Sequence, residues 1–225
     1  MLSRYWLCKV LVLYVCFTAG GSVMAEPNKQ IKLPKPELTG EHSIEMLLQQ
    51  RRSVRSYQKS SLNLAEVGQL LWSAQGVSDA QGFRTAPSAG ALYPLKLFVV
   101  VGEVNELSAG IYQYNPEEHS LLKTVNGDFR KLLQKAALNQ SSIGDAAIIF
   151  VFTAIYRRTT WKYGDRGMRY VHMEVGHAGQ NLFLQAEALH LGTVVIGAFN
   201  DDEVRDVLSL DSDIQPLSLM SVGRK

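Results

Sequence analysis

Two apolar runs constrain the fold of this chain more than any other feature: LKLFVVV at 95–101 and AAIIFVFTAIY at 146–156. Each run is short and rich in β-branched and aromatic residues, which predicts a buried strand. GIYQYNPEEHSLLKTV predicts a hairpin about an Asn-Pro-Glu-Glu turn. TVVIGAF and LSLMSVG predict two more strands near the end of the chain.

Helical periodicity falls between these strands. The predicted helices cover residues 43–50, 64–75, 128–139, 168–190 and 201–209, with Gly76 and Gly192 following the second and the fourth. RRTTWKYGDRG, at 157–167, is a polar stretch between a strand and the longest helix. Four or five strands interleaved with helices predict one α+β domain around a central sheet.

The first residues have the three-part pattern of a secretory signal. Basic residues Arg4 and Lys9 flank the start, an apolar run follows, and the small-residue site VMA ends at Ala25. The alternative is an uncleaved anchor, but the run is shorter than the roughly 20 residues of a spanning helix. We therefore expect an exported protein, periplasmic or secreted after cleavage near Ala25. No stable membrane insertion of the mature chain is expected.

The predicted organisation has three parts: a signal peptide at 1–25, an extended arm at 26–44 and the folded domain at 45–225. The arm is rich in proline and lysine. Both cysteines, Cys8 and Cys16, lie in the signal, so we expect a mature chain with neither a disulfide nor a Cys-metal site.

The charge balance is nearly even, with 23 Lys and Arg residues against 21 Asp and Glu residues. A net charge of +2 gives no reason to expect a nucleic acid or an anionic membrane as partner. The 46% hydrophobic content is that of a globular protein.

HMEVGH at 172–177 resembles a metal-binding helix but lacks the required spacing. His172 and His177 are five residues apart, about 140° around a helix, and cannot chelate one ion together. Glu174 and His177 are spaced to meet as a pair on the helix surface, and without a third ligand no metal site is predicted. The sequence also contains no G-x-S-x-G elbow, P-loop or G-x-G-x-x-G turn.

RRSVR at 51–55, the basic segment, brings three guanidinium groups and a hydroxyl together after a helix. Such a set suits a phosphate group through charge-assisted hydrogen bonds. The alternative is a solvated basic turn. Arg224 and Lys225 follow the last predicted strand and are candidates to close the same anion site.

RTAPSAGALYP at 84–94, the cradle segment, is ambiguous when taken alone. Proline, serine and glycine before a strand are typical of any turn. The same small residues would let the backbone approach a flat, polar ligand closely.

Taken in order, RRSVRSY, RTAPSAGALYPLKLFVVV, KYGDRGMRY, EVGHAGQNLFLQAEALHLG and VVIGAFNDDEV resemble the nitroreductase-like flavoproteins. More narrowly, they are similar to the SagB-type dehydrogenase branch, which includes azoline oxidases of modified peptides. The resemblance spans residues 45–225. It implies an α+β nitroreductase-like fold, with a central, mostly antiparallel sheet flanked by helices, that binds FMN at the interface of an intertwined homodimer.

The resemblance also implies roles for individual residues. The FMN phosphate and ribityl chain would be held by Arg51, Arg52, Ser53 and Arg55, with Arg224 as a further ligand. The flavin would be lined, from the other subunit, by Pro87, Ser88, Ala89 and Gly90. The polar edge of the ring would contact Gln140, and the face near N5 would contact Ile196 and Gly197. The acid–base pair would be Lys162 and Tyr163, since a partly buried lysine or a tyrosine can remove a proton from the substrate. The alternative for these two residues is a surface lysine and a tyrosine at the edge of the core.

The function expected from this resemblance is an FMN-dependent oxidoreductase that moves a hydride from a small organic or peptide-derived substrate to flavin N5. One alternative is a nitro- or quinone-reductase that uses NAD(P)H. Another, from a different class, is a non-catalytic flavin-binding protein. Export would disfavour NAD(P)H as the donor and favour O2 or a quinone as the electron acceptor.

Overall fold

The computed structural model describes residues 30–225, in which seven strands form one sheet. The strand order is β1-β4-β3-β2-β5-β7-β6, and all neighbouring strands are antiparallel. The strands are β1 (Gln30–Lys32), β2 (Leu95–Val101), β3 (Gly110–Asn115), β4 (Ser120–Asn126), β5 (Ile148–Ala154), β6 (Leu191–Ile196) and β7 (Gln215–Arg224). The predicted signal peptide and the first residues of the predicted arm lie outside the described residues.

Seven helices and one short 3-10 turn connect these strands. The helices are α1 (Ile44–Gln50), α2 (Leu64–Gln75), α3 (Arg130–Ala136), α4 (Ser141–Gly144), α5 (Arg157–Tyr163), α6 (Arg166–Ala188) and α7 (Asp201–Leu208). The 3-10 turn is Ala89–Ala91, inside the cradle segment. Of the helices among residues 30–225, none has the length and apolar composition needed to cross a membrane.

Two apolar cores lie on opposite faces of the sheet, and strand β5 contributes to both. Because strand side chains alternate in direction, Phe150 and Phe152 pack in one core while Ile149 and Val151 pack in the other. The first core is closed by α2 and α6, and the second by α3 and α7. Burial on both faces explains why β5 is apolar at every position except Thr153, whose hydroxyl donates to the Lys96 carbonyl. The predicted α+β class and flanked antiparallel sheet are confirmed.

Several boundaries differ from the sequence-based expectation. The sheet has seven strands where four or five were estimated. Strands β2 to β7 coincide with the runs named above, and β1, which no predicted run covers, lies in the predicted arm. The polar stretch 157–167 contains helix α5 and the start of α6. The helix predicted at 128–139 is shorter: Asp128 Oδ1 accepts the Arg130 N–H, and Leu138 and Asn139 have positive φ values that end the helical path.

Helix α6 ends earlier than predicted, at Ala188, because His190 takes a φ of 57°. Gly192 is therefore not a helix cap; it lies in strand β6. A Cβ on Gly192 would lie 2.7 Å from the Val54 side chain. Within α6, Gly179 packs against Met220 of the sheet, whereas the Cβ position of Gly176 faces open space.

Candidate active site

The basic segment is fixed against the edge of the sheet. The Val54 N–H donates to the Thr193 carbonyl at 2.9 Å, and Ser53 bridges to the same residue of β6. Tyr57 packs on Gly223: a Cβ added to Gly223 would lie 2.7 Å from the Tyr57 ring. The Tyr57 hydroxyl donates to the Val54 carbonyl. Glycine at this position of β7 therefore lets the segment approach the strand closely.

The charged groups of this segment are open to an anion. Arg51 is half-buried with its guanidinium 4.9 Å from the centre of the Phe183 ring, and Arg52 donates to the Gln49 carbonyl at 2.9 Å. Ser53 and Arg55 are exposed. None of the three arginines forms an ion pair with an acidic residue in the described part of the chain. Their positive charge is thus uncompensated by nearby ion pairs.

A second group of predicted residues meets at the far end of β6. Ile196 is buried, while Gly197 is exposed and has open space at its Cβ position. The Gln140 side-chain amide donates to the Ala198 carbonyl at 2.9 Å and to the Ala137 carbonyl at 3.0 Å. This amide therefore fixes the loop after Gly197 to the start of α4.

Val195 is a residue of this region that the sequence did not single out. It lies on the edge strand β6 between Thr193 and Gly197 and is 48% exposed, whereas its strand neighbours are buried. Thr193 and Gly197 are four residues apart, about 13 Å of extended chain. An exposed valine between Thr193, to which Ser53 bridges, and Gly197 marks a surface suited to an apolar ligand face. In a TVVI run, nothing distinguishes this valine from its buried neighbours.

Arg224 is placed differently from the other predicted phosphate ligands. Its Nη1 lies 2.7 Å from Glu66 Oε1 and its Nη2 lies 2.9 Å from Oε2. The guanidinium is therefore already bound by a carboxylate of α2. Its role toward a phosphate stays a prediction.

The cradle segment and the acid–base pair come together at Gly90. This residue is exposed and has a φ of 62°. A Cβ added to it would lie 2.8 Å from Tyr163 Oη and 3.0 Å from Lys162 Nζ. The Ser88 hydroxyl accepts a hydrogen bond from the Tyr93 N–H at 3.0 Å, which holds the turn in shape. A side chain at position 90 would displace both functional groups.

The cradle segment presents its other predicted residues at or near the surface. Pro87 is exposed, and Ser88 and Ala89 are half-buried. The small side chains of these residues leave room for a flat ligand to approach the backbone of the turn.

The end of helix α5 determines where Lys162 and Tyr163 lie. Gly164 follows with a φ of 56° and ends the helix, so both residues occupy its last turn. The Tyr163 ring meets the Tyr170 ring edge-on, with 5.1 Å between centroids. Lys162 is exposed, which agrees with the alternative of a surface lysine, and its Nζ lies 5.5 Å from the centre of the Tyr163 ring.

Glu174 is buried, contrary to the expectation of a helix-surface pair with His177. It is 2% exposed, and it lies in the stripe of α6 that also carries Val171 and Ala178. His177 is exposed. Burial raises the pKa of Glu174 to about 7, and the neighbouring Ser88 hydroxyl opposes part of that rise. The three- and four-residue spacing to Val171 and Ala178 was the sequence signal for this burial.

The histidines of the same motif do not form a metal site. The Tyr156 hydroxyl lies 2.5 Å from His172 Nε2, on the outside of α6. Within residues 30–225, no group of three or more potential ligands is arranged to hold an ion.

The predicted site residues thus fall into two groups. One group lies along β6, and comprises Arg51, Arg52, Ser53, Arg55, Gln140, Ile196 and Gly197. The other lies at the cradle, and comprises Pro87, Ser88, Ala89, Gly90, Lys162 and Tyr163. Within residues 30–225, no hydrogen bond or ion pair joins the two groups in one chain.

An open cleft of about 530 Å³ adjoins the cradle segment. Arg84, the first residue of that segment, lines it together with Lys96, Glu117 and Arg158. Arg158 precedes Lys162 by four residues, one turn of α5, and donates to the Tyr93 carbonyl. A polar, mainly basic cleft therefore lies one helical turn from the acid–base pair.

Comparison with known proteins identifies the family of this chain. The model of the Nitroreductase family matches residues 48–224, nearly the whole of the described chain. This chain belongs to the nitroreductase family. It is accordingly an oxidoreductase, and the family membership predicted from the sequence motifs is confirmed.

Three relatives define its position in the family. A candidate nitroreductase of Methanocaldococcus jannaschii is 48% identical over 196 residues, which cover 87% of this chain and 96% of the relative. The crystal structure of another candidate nitroreductase, from Anabaena variabilis, superposes with a TM-score of 0.78 at 33% identity, over 88% of this chain but 42% of that one. The microcin B17-processing protein McbC of Escherichia coli is 27% identical over 73% of this chain and 63% of its own length.

Proposed function

We propose that the protein is an FMN-dependent dehydrogenase or oxidase of the SagB type, acting on a small organic or peptide-derived substrate. The observation that carries the proposal is the convergence of Lys162 Nζ and Tyr163 Oη on Gly90. An acid–base pair therefore lies directly against the backbone turn predicted to line the flavin.

The residues present fit FMN at both ends of the molecule. Arg51 and Arg55 offer guanidinium groups that form no ion pair with residues 30–225, and Ser53 offers an exposed hydroxyl, for the phosphate. Gly197 and Gly90 leave room for the flat ring, and exposed Val195 offers it an apolar contact. When bound, FMN supplies a ring nitrogen that accepts a hydride.

Lys162 and Tyr163 supply the proton chemistry in this proposal. Loss of a hydride from carbon is easier when a base removes a proton from the adjacent substrate atom. Tyr163, in its phenolate form, is the group placed to accept that proton. The Lys162 ammonium, beside the Tyr163 ring, stabilises the phenolate before the transfer, and the phenol becomes neutral as it takes up the proton.

The complete site is proposed to form in a homodimer. The residues along β6 and those at the cradle lack direct bonds to each other within residues 30–225 of one chain. In an intertwined dimer, the cradle of one subunit completes the β6 surface of the other. This arrangement gives two identical sites per dimer.

A peptide-derived substrate is supported by the relative that processes microcin B17 and by the polar cleft beside the cradle. We further propose that the protein works outside the cytoplasm, because its first 25 residues have the pattern of an export signal. In that compartment, O2 or a quinone is the proposed electron acceptor.

A second candidate function is an NAD(P)H-dependent nitro- or quinone-reductase. The 48% identity to a candidate nitroreductase, over 96% of that relative, favours it specifically. A non-catalytic flavin-binding protein is the candidate from another class; it predicts bound FMN that no donor reduces.

One experiment separates these functions. The purified protein is loaded with FMN, made anaerobic and mixed in turn with an azoline-containing peptide and with NADH, while the visible absorption of the flavin is followed. The proposal predicts bleaching by the peptide and slower bleaching in Lys162→Gln and Tyr163→Phe. Lys135→Gln, which changes an exposed lysine in the last turn of α3, is the control and should behave like the wild type.

Other outcomes of this experiment would favour the other functions. Rapid bleaching by NADH alone would favour the reductase. Bleaching by neither donor would favour a binding protein, and failure to take up FMN would exclude all three functions.

A further inference from the structure

Glu174 is a buried carboxyl group directly behind the cradle segment, and the proposed chemistry does not use it. The residue is 2% exposed, and its Oε1 has no hydrogen-bond partner within residues 30–225. A buried carboxyl oxygen without a partner is costly, so its retention needs a reason.

Two neutral groups lie beside this carboxyl: the hydroxyl of Ser88 and the side-chain amide of Gln75. Both are close enough to oppose part of the rise in its pKa, yet neither donates to Oε1 in hydrogen-bonding geometry. Gln75 is 1% exposed, and its Nε2 is likewise without a partner among the described residues. The contact between α6 and the cradle is therefore polar, and some of its hydrogen-bonding groups have no partner among residues 30–225.

The charged neighbour of Glu174 is Arg84, which belongs to the cradle segment. Arg84 is already bound to Gln75 Oε1 at 3.1 Å and to Glu117 at 2.8 Å. Helix α2 contributes only the neutral Gln75 to this contact. Of the ionisable neighbours on α6 itself, His172 and His177 are exposed. The charge on Glu174 is therefore not balanced by an ion pair.

We propose that Glu174 is a positioning residue of the flavin cradle, which sets whether the Ser88 hydroxyl donates a hydrogen bond to Glu174 or to bound FMN. The proposal rests on the proposed FMN-dependent function. It assigns to α6 a part in cofactor binding although Glu174 itself touches no cofactor.

A serine hydroxyl has a single proton to donate and two lone pairs that can accept. One lone pair of Ser88 Oγ already accepts the Tyr93 N–H. An ionised Glu174 can only accept, so it draws the Ser88 proton inward and leaves the cofactor facing a lone pair. A protonated Glu174 can donate to Ser88 instead, which frees the serine proton for the cofactor.

The direction of the effect follows from the flavin ring, which carries several carbonyl oxygens and ring nitrogens as acceptors and one N–H donor. Ser88 therefore binds the ring better as a donor, with Glu174 protonated. Burial raises the pKa of Glu174 to about 7, so the change falls between pH 6 and 8. One neutral hydrogen bond gained or lost corresponds to about a fivefold change in affinity.

The test is a titration of the full-length protein with flavin, followed by quenching of flavin fluorescence at a series of pH values and constant ionic strength. Riboflavin is used beside FMN, because the FMN phosphate itself titrates near pH 6. We expect the riboflavin Kd of the wild type to rise about fivefold from pH 6 to pH 8. Glu174→Gln and Ser88→Ala should each remove this step.

His177→Gln is the matched control, since it removes an exposed titratable group three residues away on α6 and should retain the step. Ser88→Ala keeps the test valid if Glu174→Gln folds poorly. A riboflavin Kd that does not change with pH, or a step that persists in Ser88→Ala, would overturn the inference while leaving the FMN-dependent function intact. Failure of the wild type to bind either flavin at any pH would instead overturn the proposed function, and this inference with it.

Discussion

Arg224 and Glu66 form a two-point ion pair that joins the last strand to helix α2, with N–O distances of 2.7 and 2.9 Å. The Glu66 side chain is 13% exposed and that of Arg224 is 30% exposed. Glu66 also completes the capping box of α2, because its carboxylate accepts the Asn63 N–H while Asn63 caps the Glu66 N–H. One carboxylate thus stabilises both the start of a helix and the end of the chain.

This geometry predicts energetic coupling between the two residues. Glu66→Gln and Arg224→Gln should each lower the free energy of unfolding. The double variant should lose about 1 kcal/mol less than the sum of the two single losses, because a bidentate ion pair is stronger than a typical exposed pair. Because glutamine at position 66 can still form the capping box, this double-mutant cycle measures the coupling energy of the ion pair alone. Urea denaturation measures the three values.

The exposed pair Lys131–Asp145, with its atoms 3.8 Å apart, serves as the comparison. Its double-variant cycle should give a coupling energy near zero. Strictly additive losses at Glu66 and Arg224 would contradict the expected coupling.

Glu174 should make the protein less stable as the pH rises, whereas a carboxylate with a lowered pKa makes a protein more stable as the pH rises. Its pKa is raised from an ordinary 4.5 to about 7 in the folded state, so protonated Glu174 stabilises the fold below pH 4.5. This contribution is lost as the pH rises through 7 and amounts to at most about 3 kcal/mol. Glu174→Gln should therefore be more stable than the wild type at pH 8 and similar to it at pH 5.

Urea denaturation at both pH values measures this difference. Glu45, whose pKa is lowered by its own backbone N–H and by Ser43, provides a control of opposite sign. Glu45→Gln should lose stability at pH 8 relative to the wild type. An equal effect of Glu174→Gln at both pH values would contradict the raised pKa.

The sequence predicted the elements whose signal is local. The strands β2 and β5 were identified because burial on both faces gives a continuous apolar run, and helix α2 because burial of one face gives a helical period. Helix α5 was missed because its seven residues are mostly polar and only Thr159 is buried. It is held by the close approach of Gly167 to the Thr160 backbone, a tertiary contact without local signal.

In the candidate site, too, the sequence indicated what depends on local motifs and missed what depends on tertiary contacts. Family motifs indicated Gly90, Lys162 and Tyr163, but only the fold shows that the two side chains converge on the glycine. The engagement of Arg224 by Glu66 joins residues 158 positions apart, and no sequence pattern predicts it. Glu174 had a local signal, its spacing from Val171 and Ala178, but its histidine neighbours suggested a surface role.

Gly90 should be essential for flavin binding rather than for folding. Gly90→Ala adds a methyl group 2.8 Å from Tyr163 Oη and 3.0 Å from Lys162 Nζ, and it also strains the backbone at a φ of 62°. Gly82→Ala is the control, because Gly82 has a φ of 83° and open space at its Cβ position. Both variants should lose about 1 kcal/mol of stability from backbone strain.

Only Gly90→Ala should weaken FMN binding and slow flavin reduction, as measured by fluorescence titration and anaerobic bleaching. A bulkier Gly90→Leu should release FMN while the far-UV circular dichroism stays that of the wild type. A Gly90→Leu protein that remains fully loaded with flavin would show that the cradle segment is only a turn.

The basic segment should recognise the phosphate of FMN and not its ring. Arg51→Gln and Arg55→Gln each remove one charge-assisted hydrogen bond, so each should weaken FMN binding by at least about tenfold. Riboflavin lacks the phosphate, so its Kd should not change in either variant. Arg224→Gln should have a smaller effect on FMN, because Glu66 already binds that guanidinium. Equal losses for FMN and riboflavin would mean that these arginines support the fold of the site and do not bind the phosphate.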